Sequence, residues 1–88
     1  MAKKMLVIDA SATMRKIITR TIRKAGLSVD DDIKEAGDGN EALATLQEGP
    51  VDIILCDINM PGMGGRDFVK NARQMESLND SKIIMIST

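Results

Sequence analysis

The sequence predicts an α/β fold, a parallel sheet with helices on both faces. Short apolar runs such as Met5-Leu6-Val7-Ile8 and Ile53-Ile54-Leu55-Cys56 alternate with stretches of helical period. Runs so continuously apolar are the mark of strands buried on both faces, and such strands belong to parallel sheets. The resulting order, βαβαβαβ, implies right-handed helical crossovers. Two of the strands also end on a carboxylate, Asp9 and Asp57. In sheets of this kind, chemistry gathers at the carboxyl ends of the strands.

The elements follow in order. Met5 to Ile8 is the first strand, ending at Asp9. From Ser11 the period becomes helical, with Met14, Ile17, Ile18, Ile22 and Ala25 on one stripe and Arg15, Lys16, Arg20 and Arg23 facing away. Gly26 stops that helix. A polar strand from Asp32 to Ala36 suits an exposed edge, where charge discourages stray pairing. Asp38 is the N-cap of a second helix, with Glu41 as its capping-box partner and Ala42, Leu43 and Leu46 on its apolar face. Gly49-Pro50 ends it. The Asp57 strand breaks into a Pro61-Gly62 turn, which keeps the carboxylate from being covered by more strand. A third helix, roughly 65 to 77, buries Phe68, Val69, Ala72 and Met75. Asn79-Asp80 then turns the chain into a last strand from Lys82 to Ser87.

Composition excludes several classes. The chain has 88 residues, a net charge of −1, no histidine and one cysteine. Without histidine there is no histidine base or ligand, which removes most hydrolase and zinc chemistry. The near balance of charge lacks the basic footprint of a nucleic-acid binder. No apolar stretch is long enough for a bilayer, and the start lacks a signal-peptide core. A cytoplasmic protein with a reduced thiol is the expectation, with Cys56 a small buried hydrophobe. Met60 and Met63 flank the Asp57 loop, where a partner could touch them.

If the first and third strands are neighbours, Asp9 and Asp57 project into one crevice. Two carboxylates that close repel unless a cation or a proton lies between them. Hard oxygen ligands select Mg²⁺ or a similar ion.

The stretches that carry these groups resemble the receiver domain of two-component response regulators, in particular the small CheY-like chemotaxis type. They are Leu6-Val7-Ile8-Asp9 with Ser11 to Arg15, Glu35 to Gly39 with Glu41-Ala42-Leu43, Asp52 to Gly65, and Ile83 to Ser87. The resemblance implies a flavodoxin-like sheet of strand order 2-1-3-4, with residues 1–88 forming a receiver domain that lacks its last helix, strand and helix. It implies that Asp57 accepts a phosphoryl group from a sensor histidine kinase, CheA-like if the system is chemotactic, and that a downstream protein reads the result. Such a domain is a phosphoacceptor, not an enzyme in the ordinary sense. Asp9, Asp57 and the backbone carbonyl of Asn59 match the metal ligands, and Ser87 matches the switch hydroxyl.

The chain departs from this pattern twice. Ala10 stands where the family usually carries a second acidic ligand, and either divergence or a deliberate substitution accounts for it. The other departure is the ending at Thr88, before the family's phosphate-pairing lysine and aromatic switch residue. The expectation is therefore a shortened form that self-associates through its uncovered apolar stripe. Two other classes stay open at this point. One is a pseudo-receiver acting only through protein contacts. The other is an enzyme or flavoprotein on a similar sheet, against which stand the sequence Asp57-Ile58-Asn59 in place of Asp-x-Asp and the single aromatic residue, Phe68.

Overall fold

The computed structural model describes residues 3–26, 32–49, 51–60, 62–75 and 81–86. Ser87, the expected switch hydroxyl, lies outside the described residues, as do Pro50, Pro61 and the Asn79-Asp80 turn.

Among the described residues, four strands and three helices alternate as the sequence predicts: β1 (Met5–Ile8), α1 (Ala12–Lys24), β2 (Ile33–Ala36), α2 (Gly39–Gln47), β3 (Ile53–Asp57), α3 (Gly65–Ala72) and β4 (Lys82–Ile86). The strands form one parallel sheet of order β2-β1-β3-β4. The polar strand β2 is at an edge, as its charges require.

Alternation along the strands divides the core in two. Leu6, Ile8, Ile54 and Cys56 point to the face covered by α2 and α3, where Ala42, Leu46, Phe68 and Ala72 meet them. Met5 and Val7 point to the other face and meet Ile22 of α1, with Ile18, Ile53 and Leu55 packed alongside. Period-two alternation lets a continuously apolar strand supply both clusters.

The two faces are unequally covered. Of the predicted stripe on α1, Ile22 is buried at 4% exposure while Ile17 remains 49% exposed. Ile84 of β4, level with Leu55, is likewise 49% exposed. Between α1 and the sheet lies an apolar groove of about 320 Å³, lined by Ile17, Ile18, Ile22, Leu55 and Ile84 among others. A single helix cannot span a four-stranded face.

Local signals explain most of the element ends. Ser11 caps α1 through its Oγ, which accepts from the Met14 N–H at 3.2 Å. Gly26 follows the helix with φ of 73°, where a glycine costs nothing. Asp38 caps α2, accepting from the Glu41 N–H at 2.8 Å. The reciprocal half differs from a capping box: Glu41 accepts from the Gly37 N–H at 3.1 Å, one residue before the cap. The helix α3 ends earlier than its period predicts, at Ala72, with Arg73 as C-cap. Met75 still packs against the core from beyond that end. Met60, expected beside the loop, is 9% exposed and belongs to the core.

Asp52 ties the start of the sheet together. Its Oδ2 accepts from the Lys4 N–H at 2.9 Å, and its carbonyl accepts from the Lys82 N–H at 2.9 Å. One residue thus sets the register of three strands.

Gly65, the first residue of α3, packs directly beneath the end of β3. A Cβ there would stand 2.5 Å from the Asp57 carbonyl oxygen and 2.8 Å from the Ile58 Cα, both backbone atoms that cannot step aside. Gly49 has nothing within 4 Å. Gly65→Ala should therefore cost about 2 kcal/mol or more, and Gly49→Ala should be near neutral. Urea denaturation of the two variants side by side measures the difference.

Candidate functional site

The site is built by register. Ile8, the last residue of β1, pairs with Cys56 of β3, so the residue that follows each of them is an aspartate. Neighbouring strands lie about 4.8 Å apart, which sets Asp9 and Asp57 side by side at the carboxyl end of the sheet. Both are buried, at 4% and 5% exposure.

Each carboxylate is aimed by the loop that follows it. Asp9 Oδ1 accepts from the Ser11 N–H at 2.8 Å, and Asp57 Oδ1 accepts from the Asn59 N–H at 3.2 Å. In both cases the donor is two residues on, an Asx-type turn that fixes the side chain without neutralising it. The Asp9 N–H donates to the Ala36 carbonyl at 3.1 Å, securing the end of β1 to β2. Behind Asp57, the Ile58 N–H donates to Ile86 at 3.1 Å and the Gly65 N–H to Ile58 at 2.9 Å. The Asp57 loop is therefore held by β4 on one side and α3 on the other.

Among the described residues no cation pairs with either carboxylate; the ion pair nearest the site is Arg15 Nε to Glu35 Oε1 at 3.1 Å. Nor, among the described residues, does any cluster of three or more acidic, histidine or cysteine side chains form a ready-made metal cage. Ala10 is exposed and brings no donor. What remains is two carboxylates and the loop at Asn59, an oxygen set suited to a hard ion that keeps much of its water, as Mg²⁺ does. The residues fit such an ion with one anionic ligand fewer than three.

Cys56 registers both charges. Its thiol is fully buried, donates to the Asp57 carbonyl at 3.3 Å, and is pushed up to about 11 by burial first, then by the charges of Asp57 and Asp9.

Sequence reasoning missed Arg15. Its place in the helical period assigns it to solvent, yet its Nη1 donates to the Asp9 carbonyl and its Nε to Glu35 of β2. The contact becomes legible only once β2 is known to lie beside β1. Met63 was placed by the sequence next to the loop; it packs against the core and over Gly39, at the start of α2.

With this arrangement, residues 5–88 match the response regulator receiver domain. The chain belongs to that family. It is 39% identical over 84 residues to chemotaxis protein CheY-3 of Vibrio cholerae, covering 96% of this chain and 62% of that protein. It is 41% identical over 86 residues to a CheY homolog of Campylobacter jejuni, covering 97% of this chain and 64% of that protein. The chain thus spans less than two thirds of either relative. Among solved structures, chemotaxis response regulator CheY4 of Vibrio cholerae superposes with a TM-score of 0.86 at 35% identity, covering 97% of this chain and 68% of that one. The response regulator TrrA of Thermotoga maritima, solved in complex with Mg²⁺ and BeF, gives a TM-score of 0.83 at 29% identity, covering 97% of this chain and 69% of that one. The receiver fold and the strand order 2-1-3-4 expected from the sequence are both borne out.

The Cys56 environment has a measurable consequence. An unfolded thiol titrates near 9.0 and this one near 11, so the folded state holds its proton more tightly. Stability should be unaffected by this group below pH 9 and should fall as pH rises from there through 11. At pH 8 an alkylating reagent should leave Cys56 unmodified in the native protein and modify it readily in urea. Mass spectrometry of the two reactions distinguishes the states.

Proposed function

We propose that this chain is the phosphoacceptor unit of a chemotaxis-type two-component system, with residues 1–88 acting as one receiver unit. The single observation that carries the reading is the register that sets buried Asp57 beside buried Asp9, with no cation of the described residues paired to either. Asp57 is the nucleophile: its carboxylate oxygen bonds to phosphorus as the bond to the kinase's phosphohistidine nitrogen breaks, leaving an acyl phosphate on β3. Asp9, Asp57 and the Asn59 carbonyl would hold Mg²⁺. The ion would neutralise charge on the transferred group, the main demand of phosphoryl transfer. The Asn59 N–H fixes the rotation of the Asp57 carboxylate, and the Ile58 and Gly65 bonds fix its loop. No separate base is required, because a carboxylate nucleophile attacks without giving up a proton. Ser87 completes the proposal as the hydroxyl that turns toward the phosphoryl group.

The partners follow: a CheA-like histidine kinase as donor and a downstream protein as reader, with no nucleic acid. No helix among the described residues is long and apolar enough to cross a membrane, which agrees with work in the cytoplasm. The exposed isoleucines 17 and 84, on the face that also holds the groove, support self-association with a second copy. A pseudo-receiver that acts without phosphate has one observation in its favour, Ala10. It is not the favoured reading, because Asp9 and Asp57 are both retained and both aimed.

Beryllium fluoride with Mg²⁺, or a small phosphodonor, decides between these two. Wild type should take up one phosphoryl group or its analogue, and Asp57→Asn should take up none; a wild type that stays unmodified at millimolar Mg²⁺ ends the phosphoacceptor reading. Restoring the missing ligand with Ala10→Asp should lower the Mg²⁺ needed by about tenfold or more, since one added charge about 4 Å from the ion contributes several kcal/mol at an effective dielectric near 20. Separately, sedimentation should show dimers or larger species that Ile17→Lys dissociates. Monomer alone at high concentration rules self-association out.

A further inference from the structure

We propose that Arg15 is a positioning residue for Asp9, holding the end of β1 by its backbone carbonyl so that the carboxylate is presented to a divalent cation. The inference rests on the metal-site reading above. The guanidinium makes two directional bonds at once, Nη1 to the Asp9 carbonyl and Nε to Glu35 Oε1. Its side chain is only 18% exposed, and it joins the first turns of α1 to β1 and to the edge strand β2. The Asp9 N–H is already committed to Ala36 and its Oδ1 to Ser11. With the carbonyl taken by Arg15, every polar group of Asp9 except one carboxylate oxygen has a protein partner. That matters more here than in a site with three carboxylates, because Ala10 leaves Asp9 as the sole anionic ligand from this loop.

Charge and geometry predict opposite signs, which makes the role testable. As a bare positive charge near two carboxylates, Arg15 would weaken cation binding, and removing it would tighten the site. As a positioning group, its loss should weaken the site. Lysine keeps the charge but lacks the planar fork that reaches two acceptors. A partner that orients a metal ligand is worth at least about tenfold in affinity.

The experiment measures Mn²⁺ affinity by water-proton relaxation, with Mg²⁺ as competitor, for the full chain and for Arg15→Met, Arg15→Lys, Glu35→Gln and Asp9→Asn, alongside urea midpoints. Arg15→Met and Arg15→Lys should both bind about tenfold more weakly. Glu35→Gln, which weakens only the far end of the fork by removing its charge, should weaken binding by less and in the same direction. Tighter binding in Arg15→Met with wild-type binding in Arg15→Lys would overturn the proposal in favour of a charge effect. Wild-type affinity in folded Arg15→Lys and Glu35→Gln would overturn it in favour of a purely structural bridge, even if Arg15→Met failed to fold. If Asp9→Asn binds as wild type does, or wild type binds no Mn²⁺, the metal-site reading itself fails and the proposal falls with it.

Discussion

Two parallel strands, β1 and β3, paired with Ile8 against Cys56, bring two like charges to one end of the sheet. The arrangement costs free energy in isolation, since neighbouring carboxylates repel and both are removed from most of their water. The rest of the site offsets that cost locally. Each Asp keeps one oxygen on a backbone N–H of its own loop, and the loops are fixed from behind by β2, β4 and α3. None of these contacts supplies a full positive charge to a carboxylate. The fold therefore holds an electrostatic demand of the kind a divalent cation would meet, and the hydrophobic clusters on the two faces of the sheet stabilise the scaffold that holds it.

The two faces contribute unequally. On one, two helices close over Ile8, Ile54 and Cys56, and Phe68 is fully buried among them. On the other, α1 alone covers Met5 and Val7 and leaves a groove whose rim includes two half-exposed isoleucines. The site is therefore backed by the better-packed face, through Cys56, Gly65 and α3. The loosely covered face lies behind α1, the helix whose first turn caps through Ser11 and touches Asp9 through the same residue.

Elements were legible in the sequence wherever one physical cause dominated. Apolar runs marked β1 and β3 because burial on both faces leaves no place for alternation, β4 showed the same run although Ile84 is half-exposed, and Ser11 and Asp38 marked helix starts because a short acceptor side chain satisfies an orphan N–H. The end of α3 was misjudged because Met75 continues the apolar pattern from outside the helix, where it still packs against the core. Met60 follows the Asp57 loop in sequence, yet its side chain turns into the core, because proximity along the chain says nothing about side-chain direction. The pair Asp9 and Asp57 was legible as strand-end aspartates, but their adjacency depended on the sheet order. Arg15 was not legible at all: helical period sends it to solvent, and only the position of Glu35 on the neighbouring strand turns it back.

The clamp at Asp52 bears on how the chain acquires its shape while it is being made. Lys4 finds its partner 48 positions later, and Lys82 joins the same residue later still. Every ladder in the sheet is parallel, so each one encloses a helix and must close a long loop before it gains anything. The amino-terminal strand, wholly apolar, leaves the ribosome well before β3 exists to flank it. For that interval the nascent polypeptide displays Met5 to Ile8 with nothing on one side, apolar surface of the kind that makes incompletely folded chains prone to aggregate.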